Sequence, residues 1–160
     1  MEVKPQTLLN FNGVDFVNVN VHMQNPIPHD QNPTADLGLI PKVFYPNERP
    51  NEFIIIFEIK IVCKSYFNIS IVAFGFFSLP DYKGEDIRES KDFININAPA
   101  IMFPYVRSFI TTLTGNLGTN FKTLIIPPHF FKGDLQEHIE PPGDPTKMPT
   151  VESIQENRPK

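Results

Sequence analysis

Apolar and polar residues alternate with a period of two along much of the first half of this chain. In Phe53-Ile54-Ile55-Ile56-Phe57-Glu58-Ile59-Lys60-Ile61-Val62-Cys63-Lys64 every odd position is apolar, while Glu58, Lys60 and Lys64 mark the other face. Such alternation predicts a half-buried antiparallel strand. After Ser65-Tyr66 the pattern restarts in the same phase with Phe67-Asn68-Ile69-Ser70-Ile71, then becomes apolar on both faces through Val72-Ala73-Phe74-Gly75-Phe76-Phe77. A strand apolar on both faces has to be covered on both. The chain's own helices can supply one layer, and the other has to come from a partner subunit or a ligand. Residues 7–23 also alternate, with changes of phase: Leu9 and Phe11, Val14 and Phe16, then Val17, Val19 and Val21. Asn12-Gly13 is a strong hairpin signal, so two strands joined by a tight turn fit this stretch; one long strand with bulges at Gly13 and at Phe16-Val17 fits it as well.

Proline placement bounds the regular structure. Of 17 prolines, six fall in 24–50, five lie beyond residue 140 and one, Pro80, falls in 51–98, so elements are expected in 7–23, 51–98 and 99–140. Within 24–50 the alternation Leu37-Gly38-Leu39-Ile40, then Val43-Phe44-Tyr45, reads as a ragged edge strand limited by proline. The charged segment 84–97 reads as a short helix or a solvated linker. Residues 99–114 carry the helical period, with Ile101, Tyr105, Phe109 and Leu113 at i+4 beside Met102, Val106 and Ile110. Pro104 opens or kinks this helix, and Gly115-Asn116 ends it. Residues 123–126 are extended up to Pro127-Pro128, and Asp134-Leu135-Gln136-Glu137 fits a capping pattern for a small helix. Residues 141–160, poor in large apolar side chains, are expected to be a disordered, proline-rich acidic tail after a domain spanning 1–140.

Composition acts mainly by exclusion. A single cysteine, Cys63, cannot form an intramolecular disulfide, and a net charge of −4 lacks the positive field that nucleic-acid or anionic-membrane binding needs. Met1-Glu2-Val3-Lys4-Pro5 is not the start of a secretory signal, and the apolar run 69–79 is broken by Ser70 and Gly75, so a cytoplasmic protein is expected. His22, His29, His129 and His138 are scattered without metal-ligand spacing, and Cys63 falls on the buried phase of its strand. Gly115-Asn116-Leu117-Gly118 ends a helix where a phosphate cradle would begin one. Glu85, Asp86, Glu89 and Asp92 alternate with Arg88 and Lys91 as a solvated face does. No enzyme, metal or cofactor is expected.

The run Asn97-Ala98-Pro99-Ala100-Ile101-Met102-Phe103-Pro104-Tyr105-Val106-Arg107, followed by Gly118-Thr119-Asn120-Phe121 and Leu124-Ile125-Ile126-Pro127-Pro128-His129-Phe130, resembles the helix and downstream motifs of the SecB family of export chaperones. The resemblance implies an α+β fold with a four-stranded antiparallel sheet, helices packed on one face, and assembly as a homotetramer, a dimer of dimers, in the bacterial cytoplasm. It implies an ATP-independent holdase that keeps unfolded precursor polypeptides in apolar grooves for export and translocation. Family members have a long, irregular first strand, which favours the bulged strand over the hairpin in 7–23. By position, the client groove would take Leu37, Leu39, Phe44, Phe74, Phe76, Ile125 and Phe130, while Phe103, Pro104, Tyr105 and Arg107 would set the helix and subunit packing. The acidic positions that engage the SecA motor ATPase in the family fall here on Asn18, His22 and Ser70, all without a carboxylate. A SecB-like chaperone dedicated to an antitoxin in a toxin–antitoxin system is therefore the alternative. From other classes come a small-ligand domain, which would need a polar group between Val72 and Phe77 where none stands, and a non-catalytic structural homo-oligomer.

Overall fold

The computed structural model describes residues 8–128, 135–139 and 141. Five strands, β1 (Asn10–Met23), β2 (Asp36–Phe44), β3 (Glu52–Cys63), β4 (Phe67–Ser78) and β5 (Gln136–Glu137), form one sheet in the order β1-β4-β3-β2-β5. Among the described residues there is one α-helix, α1 (Lys91–Gly115), entered through a 3-10 turn, Ile87–Ser90. β3 and β4 pair as the alternation predicts, from Phe53 opposite Phe77 to Cys63 opposite Phe67 with no register shift.

β1 is one long strand antiparallel to β4, with register shifts between Phe11 and Gly13 and between Val17 and Asn20. Each shift inserts one extra residue and reverses which parity faces the helix. Phe11, Val14, Phe16 and Val21 therefore all pack against the main core despite their uneven spacing. The first bulge lies at Gly13, φ 123°, as expected. The second lies at Asn18–Val19, past the expected Phe16-Val17, because Asn18 accepts the left-handed conformation, φ 52°, and takes a hydrogen bond on its Oδ1 from Asn20 Nδ2 at 2.7 Å.

Two expectations are corrected. The sheet is mixed and five-stranded, because Gln136 and Glu137 pair in parallel with Lys42 and Val43 where a small helix was expected. A capping pattern over so few residues cannot repay helix nucleation, whereas the open β2 edge offers hydrogen bonds immediately. The helix also begins earlier than residue 99 and holds both Pro99 and Pro104 inside it. Ile94, Ala98, Met102, Val106 and Ile110 form a fully buried i+4 ladder, continued by Thr114. An interior proline costs about 3 kcal/mol, while each large apolar side chain in that ladder contributes about 1.5–3 kcal/mol on burial. The stripe centred on residue 102 thus outweighs the breaks. Ile101, Phe109 and Leu113 lie on its flank, partly buried, and Tyr105 is half exposed.

The helix reaches β4 across Gly75. A β-carbon there would stand 2.6 Å from Met102 Sδ and 3.0 Å from the Phe77 ring. Gly75→Val should therefore cost about 1–3 kcal/mol through overpacking. The check is urea denaturation, where the midpoint falls at unchanged slope; an unchanged midpoint would contradict the close approach.

Candidate functional site

β2 is the strand on which the candidate site is built. Leu37, Leu39 and Val43 point to the helix side, and Asp36, Gly38, Ile40, Lys42 and Phe44 to the other. One edge of β2 is bonded to β3. On the other, β5 reaches only Lys42 and Val43, and His138 N donates to Val43 O at 2.7 Å. Peptide groups alternate along a strand, so Leu37 and Leu39 turn their N–H and C=O outward on that same edge. Pro41 shares this parity and has no N–H to offer. Among the described residues no strand pairs with Asp36 through Pro41 on this side.

Beside that edge runs the extended segment 121–127, fastened to the last turns of α1 by side chains. Arg107 Nε donates to Ile126 O at 2.8 Å, and Thr111 Oγ1 to Leu124 O at 3.2 Å. The Thr114 hydroxyl accepts from Leu124 N at 3.0 Å while donating to Ile110 O at 2.7 Å. These bonds satisfy a segment with no strand neighbour and fix its distance from β2. Between the two lies a cleft of about 320 Å³ walled by Ala35, Leu37, Ile61, Leu124, Ile125 and Ile126. A second cleft, of about 140 Å³, continues it past Ala35 toward Ile27, Phe67 and Phe121. Ile125 lines both and is 78% exposed.

The residues singled out from sequence fall into three places. Leu37 and Ile125 line the cleft, and Leu39 lies half-buried on the same face of β2. Phe44, Phe74 and Phe76 lie on the opposite, helix-free face, separated by strand parity. Phe130 is outside the described residues. In the helix motif, Phe103 is buried against Phe57, the exposed Pro104 sits mid-helix, and Tyr105 packs at a tilt against Phe11 with centroids 4.9 Å apart. Arg107 holds the cleft wall. His22 and Ser70 face the helix-free side, opposite Asn68 and Asn20, and Asn18 occupies the second bulge. Sequence reasoning missed Thr111 and Thr114; their spacing of four and seven residues from Arg107 was the available signal.

Burial pushes the Cys63 thiol up, with Asp36 adding to the shift, so the group stays protonated and apolar in character. Among the described residues no cluster of three or more His, Cys, Asp or Glu can hold a metal ion, and no helix is long and apolar enough to cross a membrane.

The uncharacterized protein MJ0357 of Methanocaldococcus jannaschii is 30% identical over 133 residues, covering 80% of this chain and 83% of that protein. The chain belongs to the MJ0357 family. No protein-family model matches it. In three dimensions it is similar to the SecB-like chaperone Rv1957 of Mycobacterium tuberculosis, solved with a peptide from the HigA1 antitoxin Rv1956. The TM-score is 0.60 at 16% identity, covering 74% of this chain and 86% of that one. The fold is therefore SecB-like.

In this member of the MJ0357 family an ion pair joins β5 to the 3-10 turn before α1. Arg88 Nε meets Glu137 Oε1 at 2.9 Å, and the same guanidinium lies 4.9 Å over the Tyr45 ring. Burial pushes the Tyr45 phenol up to about 12; Glu137 adds to this, Arg88 opposes it and Asp86 adds again. A raised folded value means stability that is whole below the free phenol's value, about 10, and is lost as pH climbs from there toward 12. The partly buried Tyr82 is shifted upward too, so the informative quantity is a difference. Tyr45→Phe should lose less stability than the parent across that window in denaturant titrations; equal losses would contradict the assignment.

Proposed function

We propose that this protein is an ATP-independent chaperone that captures extended segments of non-native polypeptide along the β2 edge and the adjoining cleft. The observation that carries this reading is the juxtaposition of outward-facing peptide groups at Leu37 and Leu39 with an apolar trough walled by Ile61, Leu124 and Ile125. An edge of that kind accepts a polypeptide backbone by strand addition, and the trough accepts alternate apolar side chains without selecting a sequence. Such a surface has no need of nucleotide, cofactor or catalytic group. Phe130 is proposed as a further wall of the groove.

Two client readings differ in what favours them. No carboxylate stands at Asn18, His22 or Ser70, the positions that would engage a SecA-type motor, so delivery to export has little to act through. The similar fold of Rv1957 carries an antitoxin peptide, which favours service to a dedicated client such as an antitoxin. We therefore place the dedicated chaperone ahead of the general export holdase, with the cytoplasm as its compartment.

The outward side of α1 supports the assembly reading. Ile96, Ala100, Pro104, Ser108 and Thr112 are exposed at i+4 spacing, and Arg107 is the one charged residue from Phe93 to Gly115. A solvent-facing helix carries charge, so this stripe is read as a contact between subunits. Light scattering should give a particle near four times 18.3 kDa; a monomer at micromolar concentration would remove the tetramer from the proposal.

Capture is tested with the purified protein and a chemically unfolded client. Aggregation should be suppressed without nucleotide, and Ile125→Asp should weaken capture about tenfold, equivalent to about 1.4 kcal/mol, while leaving the thermal midpoint unchanged because the side chain is exposed. Failure of the parent protein to suppress aggregation would remove the chaperone reading. Full activity in Ile125→Asp would move the site off this cleft.

A further inference from the structure

A cavity of about 580 Å³ opens beyond the Phe44 end of β2 and shares no lining residue with the two clefts. Its size falls within the range of about 300–1,000 Å³ usual for small-ligand sites. Phe44, Pro46, Ile54 and Ile139 give it an apolar wall, and Ile139 is 89% exposed at its mouth. Tyr45, Glu48, Arg49, Arg88 and Glu137 supply the charged and polar groups that an apolar groove lacks.

Tyr45 is the buried one among them, 6% exposed, with its ring beneath the Arg88 guanidinium and tilted against Phe53. Its hydroxyl makes no hydrogen bond among the described residues. Among those residues the sealed side-chain polar atom without a partner is Asn95 Oδ1, so the Tyr45 hydroxyl is open to space, and the space that Tyr45 lines is this cavity. A phenol left unpaired at such depth is costly, and a ligand that bonds it recovers that cost.

Charge decides the sign of the ligand. Both guanidinium groups are already engaged: Arg49 Nη1 meets Glu52 Oε2 at 3.0 Å, and Arg88 meets Glu137 at 2.9 Å and Asp86 at 3.4 Å. Glu48 has no ion-pair partner among the described residues. Four carboxylates, Glu48, Glu52, Asp86 and Glu137, thus surround two guanidinium groups, and the local balance is negative. The Tyr45 phenol senses the same balance: after burial, Glu137 and Asp86 push its pKa up while Arg88 alone opposes them. The phenol stays protonated, so its oxygen accepts from an N–H while its own proton remains available to an acceptor.

We infer that this cavity binds a small organic cation, a protonated amine or guanidinium on an apolar stem, with the stem against Phe44, Ile54 and Ile139 and the cation between the Tyr45 hydroxyl and the carboxylates of Glu48 and Glu137. The exposed face of an aromatic wall attracts the same charge. An anion would meet guanidinium groups that are already paired, and a neutral ligand would leave Glu48 unmatched. The site stands apart from the cleft and does not depend on client capture.

The test titrates the full chain with hexylamine at pH 8, where an alkylamine is charged and an ordinary histidine such as His138 is neutral, with methyl resonances as the readout. The methyls of Ile54 and Ile139 should shift saturably, while those of Ile94, Ile110 and Ile125 should stay. Hexanoate and 1-hexanol, of equal stem length, should leave them in place. Tyr45→Phe should weaken binding about tenfold, as loss of a hydrogen bond to a charged group does, and Glu48→Gln, at an exposed side chain, should weaken it without changing the fold. Nα-acetyl-lysine methylamide separates the sources of the cation: tighter binding than hexylamine identifies a lysine of a polypeptide, and weaker binding a free amine, either of which supports the site. Saturable shifts with neither amine, equal shifts with hexanoate or hexanol, or unchanged affinity in both variants would overturn the inference.

Discussion

The structure depends on burying β4. Its inward residues Phe67, Ile69, Ile71, Ala73 and Phe77 and its outward residues Val72 and Phe74 are all buried, so this strand needs apolar cover on two sides. On one side the cover is α1, brought close by the missing side chain at Gly75 and seated through Ile94, Ala98, Met102, Val106 and Ile110. A four-residue repeat exceeds the 3.6 residues of a helical turn, so the buried stripe winds about the helix as it crosses a twisted sheet. That contact also explains two prolines inside one helix: local backbone cost is overridden by a buried face too valuable to interrupt.

Everything that makes a cleft follows from where α1 ends. Its last turns present Arg107, Thr111 and Thr114 toward the extended residues 121–127 and hold them a fixed distance from β2. Thr114 is the buried polar residue of the core among the described residues, and it is satisfied in both directions, as donor to Ile110 O and acceptor from Leu124 N. A buried hydroxyl with both roles filled stabilises one arrangement and penalises others, because displacing the segment would strand it. The opposite wall is an edge strand whose pairing is taken up by two residues of β5 and then stops at Pro41. Backbone hydrogen-bonding capacity and apolar surface thus meet along one line.

Much of this was legible in the residues. The alternation in 53–63 and 67–77 located β3 and β4 and their common inward phase. Phase changes in 7–23 recorded the bulges of β1, since each bulge resets parity while the packing partner stays the same. The resemblance around Phe103, Pro104, Tyr105 and Arg107 pointed to the SecB-like fold. Less legible was the start of α1, because Lys91 and Asp92 and the two prolines mask a buried ladder that already begins at Ile94. β5 was not legible at all. Two exposed residues carry no period, and their strand exists only because the β2 edge is there to pair with.

The sequence by itself determined which strands alternate and which strand is apolar on both faces, because side-chain chemistry and periodicity are local properties. Only the tertiary structure decided which face each apolar residue serves. Leu37 and Phe44 stand on one strand and look equivalent in a string of letters, yet parity sends Leu37 to the cleft and Phe44 to the far side of the sheet. Parity is defined relative to partners, and the partners of β2 come from residues 52–63 on one edge and 136–137 on the other, a long-range arrangement that no local pattern contains.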